Sequence, residues 1–272
     1  MKLKIPNWGS LGNPNLLMNS DYRSGIINQK GITSLDKSDG STELGIDGWI
    51  LYGINIAVGT NYVTFANRTS AIHTVQQPLD IKGLKAGDKV TFYASCFNIT
   101  GNVYIYMTGL DAQKKKLSNG DNEFTFTLTS ALERFYIELE PNAVVSFNCK
   151  KLEIGEHFTG MPCWNYAMEL LKCQNKFEVK SIPCFAIGGT FQQFHATESA
   201  SYFFCGDYTW IEKDKIPTVE VKEISTNEGV ISNVSVTAIS ITKNGCSGFR
   251  SNIPIGRPYL LLKCWIDAYN YD

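Results

Sequence analysis

An all-β protein, with two β-sandwich domains joined by one short helix, is the fold this sequence predicts. The first observation is a series of short segments in which apolar and polar residues alternate with period two. They recur at about ten-residue intervals with turn signals between them. The second is composition: 13 Tyr, 15 Phe and 5 Trp stand beside 23 Gly and 9 Pro, strand formers mixed with turn formers. The third is that a single stretch, between Cys163 and Phe177, spaces its apolar residues at helical intervals. At 272 residues the chain is long enough for two cores, at roughly 150 residues per domain.

In chain order, residues 1–14 read as an anchoring arm, because Pro6, Gly9, Gly12 and Pro14 break any regular element. Trp8 and Leu11 are apolar side chains in a segment too short to bury them, so the arm is expected to dock on another protein. Strand-like runs begin at Trp49–Ile54 and Thr60–Phe65, and Trp49 is expected in the core. After the turn at Leu84–Asp88 comes Lys89–Phe97. Val90, Phe92, Ala94 and Cys96 share one face there, with Lys89, Thr91, Tyr93 and Ser95 on the other. Val103–Met107, Glu123–Leu128, Arg134–Leu139 and Val144–Ile154 complete a first sandwich over residues 15–160.

The positions Tyr166, Ala167, Leu170, Leu171 and Gln174 follow Pro162 and predict a connector helix of roughly three turns within residues 161–177. Strands resume at Phe177–Ile182, Tyr202–Cys205, Thr218–Lys222, Val234–Ile241 and Tyr259–Ile266, a second sandwich over residues 178–272. Leu260 and Leu262 point opposite to Leu261 in a strand, which puts apolar side chains on both faces.

Charge and cysteine usage narrow the function. There are 25 Lys and Arg against 26 Asp and Glu, a net charge of -1. That balance argues against a nucleic-acid partner, which needs a basic face. The longest basic run, Lys114–Lys116, lies between Asp111 and Asp121 and reads as a solvated loop. No apolar run approaches the ~18 residues of a membrane helix. The segment Met1–Gly9 has two lysines and no apolar run behind them, so no secretory signal peptide is expected. The 8 cysteines, at 96, 149, 163, 173, 184, 205, 246 and 264, form no CxxC pair and no cluster with histidine, so no zinc site is expected. Several sit in apolar runs and read as buried thiols of a protein made in a reducing cytoplasm.

Four segments in a fixed order carry a resemblance. Asn15-Leu16-Leu17-Met18-Asn19-Ser20-Asp21-Tyr22, followed by Ile27-Asn28-Gln29-Lys30-Gly31, resembles the NLLxNSDF…xNQRG opening of jelly-roll modules in tail proteins of bacteriophages and prophages. Ile46-Asp47-Gly48-Trp49 is similar to the IDRW that follows there, with Gly48 in place of the usual Arg. Lys151-Leu152-Glu153-Ile154-Gly155 resembles the KLExG last strand. Met168 to Phe177 resembles the ExxxCQRYF helix leading into a distal β-domain, with Lys176-Phe177 replacing Arg-Tyr; Pro217-Thr218-Val219 matches a PTV beyond it.

The resemblance implies a carbohydrate-binding-like jelly roll on a tail fibre or baseplate, recognising the host cell surface, commonly as a homotrimer. It also implies a structural calcium near the chain start, for which Asn19, Asp21 and Asp47 are candidate ligands. No other cofactor is expected. The arm would hold other tail or baseplate proteins, and the distal domain would supply the threefold contact and avidity for host polysaccharide. The expected location is a virion tail or tail-like particle assembled in the bacterial cytoplasm.

Catalytic chemistry is poorly represented. His73, His157 and His195 are isolated; His157 follows Glu156 in a turn, and His195 reads as a strand residue. There is no GxSxG elbow and no P-loop lysine motif; Gly188-Gly189-Thr190 is a turn. Glu138 and Glu140 alternate on one strand face, and glycoside cleavage needs two acids about 5–10 Å apart. Like charges on an exposed strand read as solvent-facing. Tyr93, Tyr104 and Tyr106 are the better candidates: outward rings stack on the C–H faces of sugars, or pair across strands to stabilise a sheet. The expected function is non-enzymatic. A glycan-depolymerising enzyme and a purely structural adaptor are the alternatives.

Overall fold

Period-two alternation becomes antiparallel pairing throughout the described residues. A computed structural model describes residues 13–79, 81, 83–110, 113–185, 193–194, 201–213, 215–226, 229–230, 235–251 and 259–269. Trp8, Leu11 and His195 lie outside the described residues. The chain divides into two units, Met1–Leu170 and Leu171–Asn270.

In the first unit the strands are β1 (Ser34–Leu35), β2 (Thr42–Leu44), β3 (Ile50–Tyr52), β4 (Asn55–Val58), β5 (Val63–Ala66) and β6 (His73–Pro78). They continue as β7 (Lys89–Thr100), β8 (Val103–Met107), β9 (Lys115–Lys116), β10 (Gly120–Thr127), β11 (Arg134–Leu139) and β12 (Val144–Ile154). Sheet one has the order β1-β4-β5-β12-β7-β10, and sheet two the order β2-β3-β6-β11-β8-β9. From β6 onward the chain keeps crossing between the sheets, the wrapping of a jelly roll. Val90, Phe92, Ala94 and Cys96 of β7 face inward and are buried, as their alternation predicts. Phe92 stacks on Phe135 of the opposite sheet at 5.1 Å. Trp49, Phe65 and Phe147 extend the same core, each fully enclosed.

The segment 15–22 is clasped onto β12. Leu16 N–H donates to the Leu152 carbonyl at 2.8 Å, Tyr22 N–H to Asn148 at 2.9 Å, and Lys150 N–H to Ser20 at 2.7 Å. The Asn15 carboxamide accepts from Leu152 N–H and donates to the Lys150 carbonyl. Gln77 of β6 holds Met18 through both its N–H and its carbonyl. Its amide also donates to the Gly48 carbonyl at 3.1 Å. Gly48 has φ +89, and a Cβ there would lie 2.9 Å from that amide nitrogen. Trp49 donates its indole N–H to the Asn19 carbonyl at 3.0 Å. The opening motif and the Asp47-Gly48-Trp49 motif therefore form one latch of buried hydrogen bonds.

The strand β12 contains a β-bulge that turns a lysine into the core. Phe147 pairs with Cys96 and Cys149 with Ser95, so Asn148 is the extra residue. The insertion puts Lys150 on the inward face beside Ala94, where strict alternation would have placed Cys149. The Lys150 Nζ lies 4.2 Å from the Tyr22 ring centroid, 4.3 Å from Trp49 and 4.6 Å from Phe147. It bonds the Tyr22 hydroxyl at 2.7 Å. Burial pushes its pKa well below the ordinary 10.5, against the pull of the Cys96 and Cys149 thiols. The ring faces favour the ammonium form, but removal from water has the larger effect.

The helix is shorter and more exposed than its pattern predicts. It runs Tyr166–Gln174, α1, with Cys173 as its buried residue. Asn165 caps it by accepting from Met168 N–H at 3.1 Å. Tyr166, Met168 and Leu171 are exposed, so the apolar spacing there does not mark a core face.

In the second unit the strands are β13 (Phe177–Phe185), β14 (Gln193–Phe194), β15 (Ser201–Thr209) and β16 (Thr218–Thr226), then β17 (Gly229–Val230), β18 (Val236–Ile239), β19 (Gly245–Ser251) and β20 (Tyr259–Asp267). Sheets ordered β13-β20-β16-β17 and β14-β15-β19-β18 enclose Leu262, Cys264 and Ile266 against Trp210, Val236 and Phe249. On the other face of β20, Leu261 and Trp265 are half-buried and Lys263 is exposed. The Lys213 ammonium is buried against Glu178 at 3.0 Å.

A folded-state pKa below 10.5 for Lys150 means that the unfolded chain binds the extra proton in the window between the two values. Stability therefore rises with pH through that window and is lowest beneath it. Replacing the lysine with a residue of similar length that carries no charge, Lys150→Met, should stabilise the protein by about 1 kcal/mol or more at about pH 7. It should also flatten the rise toward about pH 10. Urea midpoints of both proteins at the two pH values check this, and equal pH slopes would contradict it.

Candidate functional site

An open cleft lies on the outward face of sheet two. Register puts Tyr106 of β8 opposite Tyr136 of β11, and Tyr104 opposite Glu138. Across β11, Gln76 of β6 pairs with Tyr136 and Thr74 with Glu138. Val103, Ile105 and Met107 fill the core from the same strand, which turns Tyr104 and Tyr106 outward as their alternation predicts. The Tyr106 and Tyr136 rings stack at 4.6 Å, 3° from parallel. They line a cavity of about 320 Å³ together with Thr108, Leu110, Gln113 and Lys114.

Polar groups are arranged around this pair. Lys114 Nζ donates to both oxygens of Glu138, at 2.7 and 2.6 Å, and lies 5.2 Å from the Tyr106 ring centroid. Glu138 is therefore buried beneath a lysine, which corrects the expectation of a solvent-facing acid. Glu140 lies just past β11 and accepts from Asn102 at 2.7 Å. Arg134 donates to the Gln76 carboxamide oxygen at 3.1 Å, and the Gln76 nitrogen donates to Thr74 at 3.0 Å. Burial, with Glu138 next in effect, pushes the Tyr106 phenol up to about 12. It stays a neutral donor and acceptor at any physiological pH.

Tyr93 does not join the other two tyrosines. It belongs to β7 in sheet one, so it faces outward on the opposite side of the sandwich. Phe158 covers its ring at 3.9 Å and 5°. This is aromatic pairing that secures the loop after β12, and it leaves that ring face closed to a ligand. The lining residues that the sequence reading missed are Tyr136 and Gln113, while Lys114, expected in a solvated loop, instead lines the cavity against Glu138. Tyr136 alternates with Arg134 and Glu138 on one strand, a pattern visible in the sequence; its pairing with Tyr106 depends on register.

Each candidate calcium ligand already has partners within the protein. The Asn19 carboxamide is spent on the Ile27 backbone and the Asp47 carbonyl. The Asp47 carboxylate accepts from Gln29 N–H at 2.8 Å and from its side-chain amide at 2.6 Å. Burial lifts the Asp47 carboxyl above its ordinary value against those bonds. Asp21 holds Arg23 through both oxygens, at 2.8 and 2.9 Å. Among the described residues no three His, Cys, Asp or Glu side chains group as a metal site. Cys96, Cys149 and Cys246 are buried free thiols, whereas Cys163 is exposed.

Fold and site together define a two-sandwich, all-β protein with an open, tyrosine-lined cleft on one jelly-roll sheet. No protein-family model and no curated protein matches the chain. Among solved structures it is similar to a CBM4 module, at 16% identity over 50% of this chain and 98% of that one, with a TM-score of 0.30. PfGH50B is 8% identical over 74% of this chain, with a TM-score of 0.29, and the match spans 40% of its length. A Bacillus subtilis oxalate decarboxylase is 10% identical over 93% of this chain and 80% of that one, with a TM-score of 0.13. At these scores the likenesses carry no functional argument, and the fold rests on the strand topology.

Because the oxygens of Asn19, Asp21 and Asp47 are already engaged, chelation should not touch stability. The thermal midpoint in excess EDTA should equal that in millimolar calcium. A midpoint that rises with calcium concentration would reveal a bound ion.

Proposed function

We propose that the protein recognises glycan on a host cell surface, as an appendage of a phage, prophage or phage-like tail. The observation that carries the glycan reading is the Tyr106–Tyr136 pair, set in an open cavity among Gln, Thr and Lys side chains. Aromatic surface for the apolar C–H faces of a sugar, with convergent hydrogen-bonding groups for its hydroxyls, is what such a ligand needs. The tail reading rests on the ordered motifs at residues 15–31, 46–49, 151–155 and 168–177. In this reading Trp8 and Leu11 dock the arm on other tail or baseplate proteins. Residues 178–272 provide a threefold contact, so that several clefts bind by avidity.

A depolymerising enzyme would need two carboxyl groups flanking a glycosidic bond. Neither Glu138 nor Glu140 lines the cavity; Glu138 is held by Lys114 and Glu140 accepts from Asn102, which favours binding without cleavage.

Incubation of the full chain with host cell-wall polysaccharide separates these readings. Retention of polymer without shortening is the expected outcome; shortening would favour the enzyme, and neither would favour a structural adaptor. Tyr136→Ala should weaken retention by about tenfold, the effect of losing 1–2 kcal/mol of ring contact. The same change on the opposite sheet, Tyr93→Ala, should leave retention unaltered.

A further inference from the structure

We propose that the glycan held in this cleft is an acidic polysaccharide, with Lys114 selecting its carboxylate or phosphate groups. The proposal rests on the glycan reading and concerns the charge that the cleft presents. Glu138 is the only carboxylate among the described strand residues on this outward face, and its side chain is 8% exposed. Both its oxygens are already taken by Lys114. It is thus closed to a ligand hydroxyl and acts as a positioning residue, drawing the ammonium in beside Tyr106.

Lys114 is open where Glu138 is shut. Its side chain is 43% exposed, and an ammonium has three donors. Two are spent on Glu138, leaving one for an acceptor that enters the cavity. Two further cations share the face. Lys116 of β9 is exposed opposite Tyr104. Arg134 lies two residues from Tyr136 on the same side of β11, about 7 Å along the strand. Arg134 is already engaged by Gln76, so among the described residues Lys114 at the cavity is the cation on which the charge of the cleft turns, with Lys116 nearby.

Lysines on an edge strand also discourage edge-to-edge pairing, and that suffices for Lys115 and Lys116 at the rim of sheet two. It does not account for Lys114, whose ammonium is turned inward over a ring and into a cavity. A neutral glycan would be served by Gln113, Thr108 and the tyrosine hydroxyls alone. An anionic one gains charge-assisted hydrogen bonds, roughly twice as strong as neutral ones.

Affinity electrophoresis of the full chain tests this against paired polymers. Uronate polysaccharides are compared with their carboxyl-reduced forms, and phosphate-substituted polysaccharides with their dephosphorylated forms, which also tells the two anion sources apart. The acidic member of at least one pair should bind tenfold or more tightly than its neutral partner, with an advantage that shrinks as salt is raised. Lys114→Gln should bring the acidic polymer down to the level of the neutral one. Because that change leaves Glu138 buried without its cation, the double variant Lys114→Gln/Glu138→Gln should be measured beside it and should show the same loss. Equal binding of acidic and neutral members would overturn the charge inference and leave the glycan reading standing. Binding of neither, by a protein that stays folded, would overturn both.

Discussion

Strand β12 is the member on which the rest of the first unit depends, because it carries polar groups that have to be satisfied away from water. On its outward side Lys151 and Glu153 form a fully buried ion pair at 3.0 Å. Thr159 and the Gly160 carbonyl complete that pair's hydrogen bonds. On its inward side Lys150 stands in a ring of aromatic faces. Each of these groups would cost several kcal/mol if left unpaired. The segments that satisfy them are thereby fastened to β12, residues 15–22 along its edge and residues 156–160 over its outward face.

That fastening has a consequence for function. Covering β12 closes part of the outward face of sheet one, and Phe158 lies flat on Tyr93. The comparable surface of sheet two keeps half-buried tyrosines and an open cavity. The residues that resemble the tail-protein motif, Asn15, Asn19, Asp47 and Trp49, serve the latch and not the cleft. Their spacing reflects which backbone groups must be clasped, so a likeness in that motif speaks of a way of closing a sandwich. The cleft residues fall outside it.

Local alternation made much of the first unit legible. Val103–Met107, Arg134–Leu139 and Val144–Ile154 are strands with the bounds their patterns predict. β6 escaped notice because Gln76 and Gln77 are consecutive polar residues, both buried, each with hydrogen-bond partners contributed from elsewhere in the unit. β19 escaped because Gly245 and Gly248 flank its few apolar residues. The apolar spacing near Tyr166 misled for a different reason. A nine-residue helix has little more than two turns, too few for periodicity alone to say which face is covered.

For the site, the sequence by itself determined that Tyr104 and Tyr106 face outward, since Val103, Ile105 and Met107 claim the core. It also determined that no familiar nucleophile or metal motif is present in the chain. Tertiary structure alone decided that Tyr93 stands on the other side of the sandwich, that Tyr136 stacks on Tyr106, and that Lys114 reaches Glu138. It alone turned Lys150 inward, through one inserted residue. The physical reason is the same in each case. Alternation is a property of neighbours along a strand, whereas register, bulges and sheet membership are set by pairing between residues tens of positions apart.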